Sequence, residues 1–140
     1  MAPAYQSDSG ACVSYLDLLH VPYLRGGTDP KVGLDCRGVA LELLKRSGRE
    51  TRPPTDSEEA LCNWVTGGVD WELLGDDIAR ANEIGDIAFT ASGDAPAGVL
   101  FLVGRQPQLF ITSTPKRGVH TLRARAVRDI VLGVYRMKAA

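Results

Sequence analysis

The spacing of apolar residues changes near Ile84, and this change restricts the chain to few architectures. Before residue 84 apolar side chains recur at helical spacing, and after it they alternate or form short β-rich runs between turns. Helices followed by antiparallel strands give an α+β domain. A chain of 140 residues has the length of one domain and needs no disulfide or metal to fold. We therefore predict one domain over residues 1–140, with N-terminal helices packed on a C-terminal antiparallel β-sheet.

The pattern predicts a first helix over about residues 10–19, with Ser9 as its N-cap. Its apolar face comprises Val13, Leu16 and Leu19. Pro22 and the glycines at 26–27 then force an irregular loop.

A second helix is predicted over residues 36–47, capped by Asp35 and ended by Gly48 in the left-handed conformation. Its apolar face comprises Val39, Ala40, Leu43 and Leu44. After a polar loop at 49–55, the capping-box pair Thr55 and Glu58 predicts a third helix.

That third helix is expected to end at the glycines 67–68, and residues 69–83 are predicted to form a loop with a helical turn. Strands follow. Their predicted ranges are 84–89, 98–103, 108–113, 119–122 and 129–136.

The composition excludes several classes of protein. Hydrophobic residues make up 44% and charged residues 24%, which excludes a disordered, collagen-like or disulfide-rich chain. The formal net charge is −1, and the arginines near the C-terminus lack interleaved aromatics, so we expect no nucleic-acid partner. The N-terminus has no signal-peptide pattern, and the longest apolar run, 99–103, is too short to cross a bilayer. We therefore expect synthesis in a cytoplasm and no membrane span.

Charge is unevenly distributed along the chain. Residues 50–94 hold 11 acidic and 2 basic side chains, whereas residues 95–140 hold 1 acidic and 8 basic. Two interpretations are open: solvated faces that partly neutralise one another in the fold, or two oppositely charged surfaces suited to stacking against neighbours in an assembly.

The three cysteines have different contexts. Their odd number and their spacings match neither a disulfide framework nor a zinc site, so we expect no metal and no cofactor. Cys12 and Cys62 fall on predicted apolar helix faces, which is typical of small buried hydrophobes. Cys36 begins the second predicted helix after a glycine-rich loop, where a helix N-terminus favours the thiolate. From its position alone, Cys36 can equally well be interpreted as a nucleophile or as a buried structural residue.

Three motifs in order resemble the NlpC-type cell-wall cysteine peptidases. They lie at residues 22–27 (Pro-Tyr-Leu-Arg-Gly-Gly), 33–38 (Gly-Leu-Asp-Cys-Arg-Gly) and 85–89 (Gly-Asp-Ile-Ala-Phe). The resemblance implies a papain-like α+β fold and an activity on the peptide stems of peptidoglycan. It places Cys36 at the nucleophile and Tyr23 where a tyrosine hydroxyl supports the oxyanion side.

The resemblance fails at three residues. Arg37 stands where the family usually has serine. Ala97 stands at the position of the general-base histidine, and Thr112 at the third position of the triad. Alanine cannot accept a proton, and nucleophile and base must meet within roughly 3 Å. Neither His20 nor His120 falls at the base position. A base at His20 would need a rearranged active site, and we expect His120 to point to solvent or to cap a loop.

We therefore expect an inactive NlpC-like domain that is a structural component of a phage tail tip, baseplate or related particle. The resemblance to tail-associated members implies contacts with other tail proteins and a place in the virion. The alternative is an active peptidoglycan endopeptidase, with Cys36 and an unrecognised base, that opens the cell wall during DNA entry. A third hypothesis is a housekeeping binding protein unconnected with any particle.

Overall fold

The computed structural model describes residues 5–6, 12–47, 58–92 and 95–138. Short strands and helices occupy the N-terminal half. They are β1 (Tyr5–Gln6), β2 (Cys12–Val13), β3 (Thr28–Asp29), β4 (Gly33–Leu34), α1 (Cys36–Arg46) and α2 (Glu58–Thr66). Longer strands make up the C-terminal half. They are β5 (Trp71–Gly75), β6 (Ile87–Ser92), β7 (Ala95–Arg105), β8 (Gln108–Thr114), β9 (Gly118–Arg123) and β10 (Val131–Met137).

Six strands form one antiparallel sheet in the order β5-β10-β6-β7-β8-β9. β1 pairs with β2, and β3 with β4, as separate two-stranded ladders. The α+β arrangement predicted from the change in periodicity is confirmed. Of the helices that the structure describes, none has the length and apolar character needed to cross a bilayer.

Each face of the sheet covers its own apolar cluster. Because strand side chains alternate between faces, Val99 and Ile111 point towards α1, whereas Leu100 and Phe110 point away from it. We call these the inner and outer faces. The inner face packs under α1 and α2. Two 3-10 turns, Ile78–Arg80 and Ala124–Ala126, adjoin the outer cluster.

Helix α1 forms as predicted. Asp35 is its N-cap, and the four residues of the predicted apolar face are all buried. Helix α2 also forms, and it ends at the glycines 67–68, where Gly68 takes a φ of +79°. Gly48, the loop 49–55 and Thr55 lie outside the described residues.

The predicted helix over residues 10–19 is wrong. Cys12 and Val13 form strand β2, and helical geometry is confined to the 3-10 turn Leu16–Leu18. The buried residues are Val13, Tyr15 and Leu18, a spacing that no single helix face provides. Ser9 lies outside the described residues.

The segment 69–83 contains a strand that the pattern did not show. Within β5 only Trp71 is buried, and Glu72 and Leu73 are exposed, so no alternation marks the strand. Pairing with β10 through the backbone defines β5. The predicted helical turn is present at Ile78–Arg80.

The remaining strand predictions are confirmed with shifted ends. β6 begins three residues later than predicted, because 84–86 form a turn. β10 begins at Val131 after a 3-10 turn at Arg128–Ile130.

An ion pair joins the C-terminal end of α1 to the N-terminal segment. The Arg46 guanidinium donates to both carboxylate oxygens of Asp17, at 2.7 and 2.9 Å, and to the Ser14 carbonyl at 3.1 Å. It also donates to Glu42 at 2.7 Å. The hydrogen bond from Arg46 holds the pKa of Asp17 below its ordinary value of 3.8.

We expect Asp17→Asn to lower the melting temperature at pH 7 by the equivalent of at most about 1 kcal/mol, because Asp17 is largely exposed. A lowered carboxylate pKa stabilises the fold fully above the unfolded value of 3.8, and the contribution is lost as pH falls through the folded value. Thermal melts from pH 7 to pH 2 should therefore show the two proteins converging at the acid end. Asp129→Asn, an exposed aspartate, is the control. A difference in melting temperature between the two proteins that does not change with pH would contradict a stabilising role for the Asp17–Arg46 ion pair.

Candidate functional site

Cys36 is the first residue of α1, and only 9% of it is exposed. It lies at the helix N-terminus, where backbone N–H groups and the helix dipole favour negative charge. The predicted position of the candidate nucleophile, at the start of a helix after a glycine-rich loop, is confirmed. Its role as a nucleophile stays a prediction.

The carboxylate of Asp35 joins the loop at 22–27 to this helix end. It is fully buried. One oxygen accepts from the Gly38 N–H at 2.7 Å, and the other accepts from the Gly26 N–H at 2.8 Å. The same side chain therefore caps α1 and fixes the loop at the N-terminal end of that helix.

The glycines of the first two motifs allow backbone segments to touch. A Cβ on Gly38 would collide with the Gly27 carbonyl oxygen, and one on Gly27 would collide with the Gly33 carbonyl oxygen. A Cβ on Gly33 would lie 2.6 Å from the Leu24 Cβ. Any larger residue would push the loop away from the helix. Gly27, Gly33 and Gly38 thus have a packing role.

Arg37 is buried beside the candidate nucleophile. It is 3% exposed, and its Nη2 donates to the Gly26 carbonyl at 3.4 Å. The side chain therefore lies under the loop, at the position where the resembled peptidases usually carry a serine. Tyr23 is half-buried on the same loop, next to Pro22, whose carbonyl accepts from the Leu34 N–H at 2.9 Å.

Strand β8 contributes Ser113 to this region. The Ser113 hydroxyl donates to the Leu34 carbonyl at 2.7 Å, two residues before Cys36. Thr112 is the neighbouring residue and so points to the opposite face of the sheet. Its hydroxyl donates to the Val99 carbonyl at 2.8 Å. The structure thus brings Ser113, and not Thr112, to the strand that leads into α1.

Neither histidine lies on the strand that the resemblance assigns to the base. His20 is exposed and has a backbone φ of +70°. Its backbone N–H donates to the Val119 carbonyl. His120 is paired with Thr112 across β8 and β9, which places both on the outer face. Its Nδ1 lies 2.9 Å from the Gly118 carbonyl oxygen. Ala97 lies in β7 by its backbone, and its side chain is outside the described part of the chain.

The aspartate of the third motif holds the far end of the sheet together. Asp86 is 1% exposed, and its carboxylate accepts from the Asn82 and Glu83 N–H groups at 3.0 Å. Arg136 on β10 donates to both of its oxygens, at 2.9 and 2.8 Å. These bonds raise the pKa of Arg136 above its ordinary value. Asp86 therefore has a structural role.

Some of these features could have been found in the sequence. Leu109 and Ile111 alternate on the inner face of β8, and continuing that alternation by two residues selects Ser113 for the same face. No local signal gives the burial of Arg37 or the pairing of Asp86 with a residue 50 positions away. Among the described side chains, no group of three or more His, Cys, Asp or Glu residues is placed to hold a metal ion.

Comparisons with known proteins identify the fold. No protein-family model matches the chain. No curated protein matches it. Among solved structures, the NlpC/p60 domain of the peptidoglycan hydrolase SagA aligns with a TM-score of 0.59 and 20% identity, over 86% of this chain and 90% of that one.

A second match is a protein of the NLP/P60 family, similar to a lipoprotein, from Staphylococcus aureus subsp. aureus Mu50. Its TM-score is 0.60 at 19% identity, over 89% of this chain and 39% of that longer one. The predicted NlpC-type α+β fold is confirmed by both.

We expect Gly38→Ala to destabilise the fold by about 2 kcal/mol, because the new methyl group would collide with the Gly27 carbonyl. Helix propensity alone predicts the opposite sign, since alanine in a helix stabilises by about 0.5–1 kcal/mol over glycine. Urea unfolding measures the sign directly. A more stable variant would show that the close approach does not constrain position 38.

Asp86→Asn should lower the free energy of unfolding by about 3 kcal/mol, because it leaves Arg136 without the buried half of its ion pair. Glu83→Gln is the matched control, since Glu83 contacts the same arginine but is 41% exposed. We expect that change to cost under about 1 kcal/mol in the same urea titration. Equal losses in both variants would contradict a special role for the buried carboxylate.

Proposed function

We propose that this chain is an NlpC/p60-fold domain that has lost the peptidase reaction and serves as a structural component of a phage tail tip, baseplate or related particle. The observation that carries the proposal is Ala97 at the position where the resembled peptidases have their general base. Peptide hydrolysis needs a base to activate the thiol and an acid to protonate the leaving amine. Alanine supplies neither.

The positions of the other polar groups support the loss of activity. Thr112 and His120 share the outer face, while Cys36 belongs to the helix packed on the inner face. His20 is exposed and its backbone is bonded to β9. Ser113 lies on the inner face, but its hydroxyl donates to a backbone carbonyl.

The motif residues that remain have packing roles. Asp35 caps α1, Asp86 binds Arg136, and Gly27 and Gly38 admit close backbone contacts. A chain that keeps the residues of the fold and lacks those of the reaction fits a role as a scaffold. By resemblance to tail-associated domains, its partners are other tail proteins and its location is the virion, after cytoplasmic synthesis.

An active peptidoglycan endopeptidase is the second candidate. It is favoured by Cys36 itself, which keeps its place at the N-terminus of α1 beside the Asp35 cap. The solved structures with this fold include a peptidoglycan hydrolase domain. In this alternative, Cys36 with an unrecognised base opens the cell wall locally during DNA entry.

Incubation of the purified protein with peptidoglycan and with muropeptides separates the two candidates. We expect no released fragments above the level of Cys36→Ala, because no base activates the thiol. Cys62→Ala is the matched control, since Cys62 is a half-buried cysteine on α2. Cleavage that Cys36→Ala abolishes and Cys62→Ala retains would establish the endopeptidase.

Ala97→His tests the assignment of position 97 to the general base. Cleavage by that variant that depends on Cys36 would support the assignment.

The particle role has its own measurement. Mass spectrometry of purified particles from a host that expresses the chain should detect it at a fixed copy number relative to known tail proteins. Its absence from particles, with the protein present in the host lysate, would contradict the proposed location.

A further inference from the structure

Part of each charge group seen along the chain lies at one of the two edges of the six-stranded sheet. The acidic edge is the set of exposed carboxylates on and beside β5. It comprises Asp70, Glu72, Asp76 and Asp77. The basic edge is the set of exposed cations on and beside β9. It comprises Lys116, Arg117, Arg123 and Arg125. Since β5 and β9 are the first and last strands in the sheet order, these charges cannot neutralise one another within one molecule.

Neither edge is neutralised by ion pairs within the described parts of the chain. The ion pairs recorded there use Arg46 and Arg136, which bind Asp17, Glu42, Glu83 and Asp86. Beside the acidic edge, Arg136 lies opposite Glu72 in the β5–β10 ladder and attracts it, but its short ion pairs are with Glu83 and Asp86. The Lys138 ammonium donates to the Gly68 carbonyl. Arg80 is the further exposed cation on that side.

The backbone of each edge strand directs hydrogen-bonding groups outwards. In the β5–β10 ladder, the Lys138 backbone N–H donates to the Asp70 carbonyl, so by alternation the backbone groups of the exposed Leu73 face away from β10, whereas Trp71 is covered. On β9, Val119 is already bonded to the segment 20–21. The same alternation turns the backbone groups of Thr121 outwards, together with those of Arg123.

The acidic edge also exposes apolar surface. Leu73 is 63% exposed and Val69 is 77% exposed. An edge strand with outward backbone groups and an exposed leucine is a template for another strand.

We propose that the acidic edge of one copy of this chain docks against the basic edge of a second copy, so that the sheets join head to tail. Like edges repel: β5 against β5 opposes carboxylates, and β9 against β9 opposes cations. The favourable contact is therefore heterologous, and repetition of it builds an open row or a ring. The segment 116–125 carries no phenylalanine, tyrosine or tryptophan, which argues against single-stranded nucleic acid as the occupant of the basic edge. The proposal does not depend on the loss of peptidase activity.

Sedimentation velocity over a concentration series tests the contact. At about 25 mM salt the mass should rise with concentration above 15.1 kDa. At about 0.5 M salt, where the Debye length is about 4 Å, it should return to that of the single chain. A protein that stays at 15.1 kDa up to about 1 mM at low salt overturns the proposal.

Charge reversal gives a sharper test. Glu72→Lys halves the net negative charge of the acidic edge, and Arg123→Glu halves the net positive charge of the basic edge, so each variant alone should associate about tenfold more weakly than the unchanged protein. When the two variants are mixed, the reversed charge on the acidic edge of one faces the reversed charge on the basic edge of the other, and association should return. Asp129→Lys and Lys45→Glu are matched controls with the same charge changes at exposed sites off the two edges. Variants that associate as the unchanged protein does, or a mixture that stays monomeric, overturn the proposal.

A zero-length carbodiimide cross-link tests the contact without any variant. Five strand spacings of about 4.8 Å place the two edges about 24 Å apart within one molecule. A link between Lys116 and a carboxylate of the acidic edge can therefore form only between two copies. We expect that link in the dimer band at low salt. Dimers linked only through residues off these edges would contradict the proposal.

Discussion

The buried carboxylate of Asp35 is the interaction on which the N-terminal half of the structure depends. It accepts from the first turn of α1 and from the glycine-rich loop at the same time. A fully buried carboxylate needs such partners, because without them its burial would be very costly. The close contacts at Gly27 and Gly38 let the loop approach near enough for both bonds to form. The two hydrogen bonds of Asp35 thereby fix the position of Cys36, one residue later in the chain.

A second buried carboxylate performs a comparable task at the sheet. Asp86 connects the turn before β6 to Arg136 on β10, and β10 in turn holds the edge strand β5. Both aspartates belong to motifs that are typical of cell-wall peptidases, and both have structural partners in this chain. The motifs can therefore contribute to stability whether or not the chain catalyses a reaction. At the positions that the resemblance assigns to chemistry, the sequence has Ala97 for the base histidine and Arg37 for a small residue.

The sheet order gives the uneven charge of the sequence a spatial meaning. The acidic middle of the chain includes β5, and the basic C-terminal third includes β9. The crossover from β9 back to β10 inserts the last strand between β5 and β6, and this leaves the two charged strands at the outer edges. A domain with complementary charged edges is suited to assembly, which agrees with the scaffold role that we propose.

Local sequence determined the elements whose signals lie within a few residues. The cap at Asp35 and the apolar face of α1 gave that helix, and alternation gave β6 to β9, because side-chain period and capping are local properties. The resemblance of the three motifs predicted the NlpC-type fold.

Only the tertiary structure decided the elements that depend on distant partners. Residues 12–18 became a strand and one 3-10 turn, because the buried positions were set by packing against α1 and α2. β5 was defined by its pairing with β10, and Ser113 was selected over Thr112 by the face that meets α1. Charge could be counted along the chain, but its separation onto opposite edges required the strand order, which no local pattern contains.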